Sequence, residues 1–282
     1  MAEVTAQMVK RLRDATGMAM HKCKDALEKS GADHEKAIEY LRKNGMSAGA
    51  KKSDREAKEG LIAFAEDAKA LTLLEANVET DFVANNERFK AFVDDVLKQA
   101  QASKPATLAD LLAQAYQKDP SITVEQKRNL AVAELGENIQ LRRLEVIQKA
   151  ANCSYGVYRH GAKLLVIVEI EGDTEQTAIA KNVAMHVAAA NPEFVSPAEI
   201  PAEYIAKESE IAREQMKDKP ANMIDKIVAG KIKAREAEIC LVCQKFIMNP
   251  DETVQQYVEN AGKQTGKTLS VRRFWALKVG QA

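Results

Sequence analysis

Four stretches of this sequence hold residue types that could do chemistry. AGKQTGKT (261–268) has Gly266, Lys267 and Thr268 in the order of a relaxed phosphate-binding loop. Such a loop holds phosphate on the amides that open a helix, so it needs a buried strand before it and a helix after it. Here the order is reversed. The helical pattern VQQYVENA comes first and the strand pattern LSVRRFWAL follows, so a polar helix-to-strand turn is expected. Cys240-Leu-Val-Cys243 is a lone CxxC. Strand positions three apart point to opposite faces, so these thiols cannot readily share a metal, and buried strand cysteines are expected. His21, His34, His160 and His186 are scattered without metal-ligand spacing. His186, in VAMHVAAA, is expected in a core or an interface, and His160, in YRHGAK at a strand turn, is expected to be free for contact. No nucleophile elbow or dinucleotide fingerprint occurs, and nothing argues for an enzyme, a cofactor or a metal. The fourth stretch is ETDFVANNERF (79–89), which puts Phe82 beside Asp81 in polar surroundings. By pattern alone Phe82 is either a core ring alternating with Val78 and Thr80 or a surface ring offered to a partner. Asp81 is either a turn cap or a contact.

The elements that position these residues follow from periodicity. Residues 5–44 read as three short helices. Met8, Val9 and Leu12 mark the first, which Gly17 ends; Met20, Cys23, Ala26 and Leu27 mark the second; Asp33 can cap the third, which carries Ala37, Ile38 and Leu41 and stops before Asn44-Gly45. SAGAKKSDREAKEG (47–60) has no apolar stripe and reads as a linker or a solvated helix. LIAFAED and ALTLLEANVE then form paired strands around Asp67-Ala68-Lys69, and Phe89, Phe92, Val93 and Val96 share one face of the next helix. Helical patterns continue through 107–137, and NIQLRRLEVIQ (138–148) returns to strand.

The second half replays the first. AKLLVIVEIE (162–171) aligns with AKALTLLEAN (68–77), 94 positions apart, and an amphipathic helix follows each. The same offset pairs Phe89 with Val183 and Val93 with Val187, but one turn earlier it sets polar Asn85 against apolar Ile179. EYIAKESEIAREQMK carries Tyr204/Ile211 and Ile205/Ala212 at heptad spacing. KDKPANM turns the chain and MIDKIVAGKIKAREAE returns it, so an antiparallel helical hairpin with a thin apolar seam is expected. ICLVCQKFIM (239–248) is expected to re-enter a sheet, residues 251–261 to form a short helix and TLSVRRFWALKV (268–279) a last strand.

Composition bounds the function. The chain has 282 residues, 46% of them hydrophobic, with 41 Lys plus Arg against 41 Asp plus Glu. Zero net charge argues against a general nucleic-acid binder, which needs basic excess to neutralise phosphates. No apolar run approaches the roughly 20 residues of a membrane span, and the start MAEVTAQMVK has no signal or transit character. Four cysteines without disulfide spacing fit a reducing cytoplasm.

LRDATGMAMHKCKDAL (12–27) and EANVETDFVANNERF (75–89) together resemble the signatures of the bacterial elongation factor Ts family. ELGENIQLRR (134–143), YRHGAKL (158–164), MHVAAANPEF (185–194) and FIMNPDETV (246–254) fit the same family in the same order. The resemblance implies an α+β protein with an N-terminal three-helix domain like ubiquitin-associated domains (1–54), a core subdomain (55–140) and a second, related core subdomain (141–282). An antiparallel coiled-coil hairpin at about 197–241 is inserted in the second. Longer members end in a helical module after the last core strand. This chain stops at Ala282, shortly after Trp275, so that module is expected to be absent.

The resemblance also implies a function. Members promote guanine-nucleotide exchange on elongation factor Tu, touching its nucleotide-binding domain and a further domain, with no catalytic residues, cofactor, metal, nucleic acid or membrane of their own. A dimer or a 2:2 complex is compatible with it. Carried over residue by residue, Thr80, Asp81, Phe82 and Val83 are the segment that disturbs the partner's Mg2+ site. Met20, Lys24, His160, Ile247 and Met248 are further partner contacts. A binding protein of the same fold without exchange activity is the alternative, and the intact Thr80-Asp81-Phe82-Val83 segment favours exchange.

Overall fold

The computed structural model describes residues 3–46, 52–216 and 221–281. The chain is a mixed α/β protein that divides into two compact units, Met1–Lys149 with Lys278–Ala282, and Ala150–Leu277. The boundary expected at 140/141 falls inside a strand and is corrected to Lys149/Ala150, because the Ile139–Gln148 strand completes the first sheet.

The first unit opens with α1 (Ala6–Thr16), α2 (Met20–Lys29) and α3 (His34–Met46). Thr5 caps α1 by accepting from the Met8 amide, Gly17 ends it in the left-handed region, and Asp33 accepts the Lys36 amide at 3.0 Å. Val9, Leu12, Cys23, Ala26, Leu27, Ala37 and Leu41 close the bundle's core. The third helix does not stop before Asn44-Gly45 as expected. It runs to Met46, and the missing side chain at Gly45, where a β carbon would lie 2.8 Å from Leu130 Cδ2, lets the helix pass close to that leucine. Of the 47–60 linker, residues 47–51 lie outside the described residues, and a strand already begins at Glu59.

Strands β1 (Glu59–Glu66), β2 (Ala70–Val78) and β5 (Ile139–Gln148) form an antiparallel sheet in the order β1-β2-β5. Asp67 builds the β1–β2 turn by accepting the amides of Lys69 and Ala70 at 2.6 and 2.8 Å. The central strand β2 is buried along its whole length. Leu74, Ala76 and Val78 pack against Phe89, Phe92, Val93 and Val96 of α5 (Glu87–Ser103), which follows the short α4 (Asp81–Ala84). The pattern over 107–137 is not helical throughout. After α6 (Leu108–Ala113), a tight hairpin of β3 (Ala115–Tyr116) and β4 (Asp119–Thr123) precedes α7 (Val124–Leu135), because β-strands of this length show no alternation to read.

The second unit has β6 (Cys153–His160), β7 (Leu164–Glu171) and β10 (Ser270–Lys278) in the order β10-β7-β6, with α8 (Thr177–Ala190) packed on them. A β carbon at Gly156 would lie 2.0 Å from the Ala180 backbone carbon, so only glycine lets β6 meet α8 this closely. Helices α9 (Ala202–Glu214) and α10 (Ala221–Ile239) form the hairpin expected here; Tyr204 and Arg235 join its base at 2.8 Å, and Arg213 and Asp225 pair at 3.0 Å farther out. The turn assigned to KDKPANM includes residues 217–220, outside the described residues. ICLVCQKFIM does not run as a sheet strand. Helix α10 continues to Ile239, Cys240 makes an isolated parallel bridge with Phe194, a 3-10 turn spans Leu241–Cys243, and β8 (Lys245–Phe246) pairs with β9 (Asn249–Thr253). Cys240 and Cys243 are therefore not strand cysteines; Cys240 is buried where that turn begins and Cys243 half-buried within it. Helix α11 is Val254–Thr265, and Gly266 ends it in the left-handed region before β10, so AGKQTGKT is a helix-to-strand turn.

The two units share an order of elements, but the helix alignment at 94 positions is corrected. Strands β2 and β7 start 94 apart, at Ala70 and Leu164. The following helices instead end on matching left-handed caps, Lys104 and Asn191, which are 87 apart, both at φ 47°. At that offset Ile179 matches Phe92 rather than Asn85. The seven-residue difference is one heptad, which preserves the apolar face and so hid the slip in the sequence pattern.

No described helix is long and apolar enough to cross a membrane.

Candidate partner-binding segment

The segment from Glu79 to Phe89 is a built feature. Thr80, in extended backbone, caps the four-residue α4, and its hydroxyl oxygen accepts the Val83 amide at 3.4 Å. A turn this short has no stability alone, since helix nucleation costs more than one hydrogen bond returns. Its neighbours supply the rest. Ala84 is buried and Val83 packs on the sheet–helix core, fixing the inner face. The Asn85 side chain donates to the Asp81 carbonyl at 3.0 Å, and Asn86 caps α5 by accepting the Arg88 amide at 2.9 Å. Arg88 then pairs with Glu134 of α7 at 2.6 Å.

The outer face of this turn holds Phe82, which is 85% exposed. That removes the core-ring alternative: the ring is held in water by a turn whose other side is anchored. Asp81 is also exposed. The base of the turn is tied to the chain just after α7. Glu137 accepts from the Thr80 amide (Oε2, 3.0 Å) and from the Thr80 hydroxyl (Oε1, 2.6 Å). In return Glu79 accepts from the Asn138 amide at 2.7 Å. Sequence reasoning did not single out Glu137. It lies 57 positions from Thr80, and the one local signal was its place after Gly136, the left-handed cap of α7.

The other expected contacts are also at the surface. Met20 is 54% exposed and Lys24 lies one turn along the same helix, beside a shallow groove that also touches Val4, Ala6, Val9 and His21. In the second unit His160 is exposed at the end of β6, its Nδ1 3.1 Å from the Tyr158 hydroxyl. Ile247 and Met248, 52% and 53% exposed, form the tip of the β8–β9 hairpin.

That apolar tip rests on a buried histidine. His186 Nδ1 accepts the Ile247 amide at 3.2 Å, so the ring proton sits on Nε2 and points to Gln244 Oε1 at 2.9 Å. Burial holds its pKa below the ordinary histidine value, consistent with a neutral ring. Phe246 lies beside His186 and stacks on Tyr257 with centroids 4.1 Å apart. His186 is thus the core histidine its apolar surroundings suggested, and it supports the two exposed residues.

Among the described residues no group of three or more His, Cys, Asp or Glu is placed to hold a metal ion. The conspicuous buried acids have structural partners. Glu75 takes Arg143 at 2.7 Å and the Gly280 amide at 2.9 Å. Glu169 takes Tyr155, Arg272 and Arg273 at 2.8, 3.2 and 3.0 Å. Burial pushes the Tyr155 phenol up to about 12, so it remains a donor.

A family model described as elongation factor TS matches residues 79–281, beginning at the first residue of the anchored turn. The chain is 45% identical to an elongation factor Ts of Protochlamydia amoebophila over 282 residues, the whole of both chains. It is 40% identical to that of Chlamydia pneumoniae and 38% to that of Chlamydia felis, each over 281 residues, 99% of this chain and all of the relative. Identity at this level across every element described above leaves one assignment: the chain belongs to the elongation factor Ts family, translation elongation factors with a nucleotide-exchange role.

Proposed function

We propose that this chain binds elongation factor Tu carrying GDP and drives Phe82 into its nucleotide-binding domain, disturbing the Mg2+ and phosphate site so that GDP leaves and GTP can bind. The observation that carries this reading is Phe82 itself, 85% exposed on an anchored turn. Burying such a ring in a partner contributes about 1.5–3 kcal/mol, which is available only in the complex. If that contact favours the partner's distorted state, the exchange factor and GDP weaken each other's binding reciprocally, and either can displace the other. Free GTP and GDP set the direction, and no covalent bond is made or broken, so the chain acts without being an enzyme.

Around this element the proposed organisation is a ubiquitin-associated-like three-helix domain, two related core subdomains dividing near Lys149, and a coiled-coil hairpin in the second. Asp81 accompanies Phe82 into the partner, while Thr80 and Val83 shape the turn. Met20, Lys24, His160, Ile247 and Met248 are proposed as further contacts with elongation factor Tu. The working compartment is the cytoplasm. Membership of the family disfavours a binding protein that lacks exchange.

The test is release of labelled GDP from elongation factor Tu with and without the protein. Acceleration at substoichiometric protein supports exchange. Complex formation without acceleration would restore the binding-protein reading.

A further inference from the structure

We propose that Glu137 is a positioning residue for exchange, holding the Phe82 turn in the orientation that enters the partner. This rests on the exchange reading above. Glu137 is half-buried and touches neither Phe82 nor Asp81 in any hydrogen bond; it acts on Thr80. Its carboxylate accepts both donors of that residue, the amide at 3.0 Å and the hydroxyl at 2.6 Å. A short O–H···O⁻ bond of this kind is among the stronger hydrogen bonds a protein makes. With the Thr80 proton committed to Glu137, its oxygen lone pairs remain directed at the Val83 amide, so one carboxylate fixes both the entrance to α4 and its cap. The reciprocal bond from the Asn138 amide to Glu79 makes a two-way clasp between neighbouring chain segments.

The second unit shows that the fold does not itself require this acid. Gly136 and Gly266 both end the helix before the last sheet strand in the left-handed region. The residue after the first is Glu137; the residue after the second is Lys267. Lys267 donates its amide to the Gly262 carbonyl at 2.9 Å, and the loop it follows in space, after β7, contains no helical turn and no exposed aromatic ring. The acid occurs where there is a turn to hold.

A ring exposed to water gains from such a clasp because ordering a loop on docking costs conformational entropy that a prebuilt turn has already lost in folding. Without Glu137 the Thr80 amide and hydroxyl bond to water, and α4 keeps its inner-face packing, its Thr80 cap and the Asn85–Asp81 bond but loses its tie to the chain after α7. The turn then samples orientations in which Phe82 misses its site.

Four full-length proteins test this by GDP release from elongation factor Tu over a range of exchange-factor concentrations: Glu137→Ala, Glu137→Gln, Phe82→Ala and the double variant Phe82→Ala with Glu137→Ala. Glu137→Ala is expected to lower the maximal release rate about fivefold to tenfold. Glu137→Gln, which keeps one acceptor, is expected to fall between it and the parent. In the Phe82→Ala background the same substitution is expected to change the rate by less than about twofold, since the element it positions is gone. A parental rate in Glu137→Ala, or effects that multiply in the double variant, overturns the proposal while leaving the wedge intact. A parental rate in Phe82→Ala overturns the exchange reading itself, and Glu137 with it. Should Glu137→Ala fail to fold, Thr80→Val removes the hydroxyl from the other side of the clasp. Its parental rate would overturn the proposal equally.

Discussion

The loops that follow β2 and β7 leave corresponding strands for corresponding helices, yet they are built differently. The first spans 79–86 and holds a helical turn with Phe82 in water; the second spans 172–176 and passes directly into α8. The hairpins before α7 and α11 differ in the opposite sense. The β3–β4 tip carries exposed Gln117 and Lys118, with Lys118 paired to Asp95 at 2.7 Å and the bundle's Arg42 on Asp119 at 3.0 Å. The β8–β9 tip presents Ile247 and Met248 at the equivalent positions. Beneath each tip one helix side chain receives the amide of the first tip residue: Gln99 from Gln117 at 2.8 Å, and His186 from Ile247 at 3.2 Å. One arrangement of strand, helix and hairpin therefore serves as a frame. The two units differ in what two connections of this frame expose, Phe82 in one and Ile247 with Met248 in the other, and each connection is held by hydrogen bonds from the frame.

The largest effect that tests this contrast comes from the frame. Phe246→Ala removes a ring that is 2% exposed and stacked on Tyr257, and should destabilise the protein by about 3–5 kcal/mol in urea unfolding. Next is the connection. Phe82→Ala should leave the unfolding midpoint within error and slow GDP release about tenfold, or roughly 1.4 kcal/mol. If the two variants unfold alike, the division between frame and connection is wrong.

A matched pair then asks whether the frames are energetically equal. Thr123 and Thr253 each cap a helix, in a capping box with Gln126 and Gln256 respectively. Thr123→Ala and Thr253→Ala should each cost about 1 kcal/mol of stability. A cost confined to one of them would show that the shared geometry conceals unequal loads.

The smallest effect is expected from the longest insertion. Phe194 and Cys240 pair in a parallel bridge, and the Leu241 amide donates to the Phe194 carbonyl at 2.9 Å, so the chain leaves the frame and returns to it at neighbouring points. Replacing residues 202–238 by a short Gly/Ser linker should keep cooperative unfolding and most of the exchange activity, because loop-closure entropy changes slowly with length. Loss of the sharp unfolding transition would mean that the helical hairpin belongs to the frame.

What the sequence disclosed tracks the range of the forces involved. The three N-terminal helices, the Asp67 turn and the two helices of the α9–α10 hairpin rest on local patterns and were legible, but of the heptad pairs Ala212 is buried whereas Ile211 is exposed. The two tight hairpins were not, because a two-residue strand such as Ala115–Tyr116 has no periodicity. The helix correspondence slipped by a heptad because periodicity repeats itself at that interval, and only the Lys104 and Asn191 caps fix the phase. For the site, the Thr80–Val83 segment was visible through its resemblance to a family signature, while pattern alone left Phe82 ambiguous. Glu137 lies in ELGENIQLRR, which the resemblance covers, but was not singled out because its bonds to Thr80 span 57 positions, which no spacing rule records.

The exposed ring also has a bearing on how the free protein behaves in a concentrated solution. Phe82 stands among Asp81, Asn85, Asn86 and Glu87, all exposed, so the apolar area offered at this point is about one side chain wide. Colloidal attraction between copies grows with contiguous apolar patch size, and a lone ring rimmed by a carboxylate and amides lies below the extent at which self-association is usual. The polar residues of ETDFVANNERF thus act as insulation as well as caps, keeping a water-exposed aromatic ring from adhering to every surface it meets.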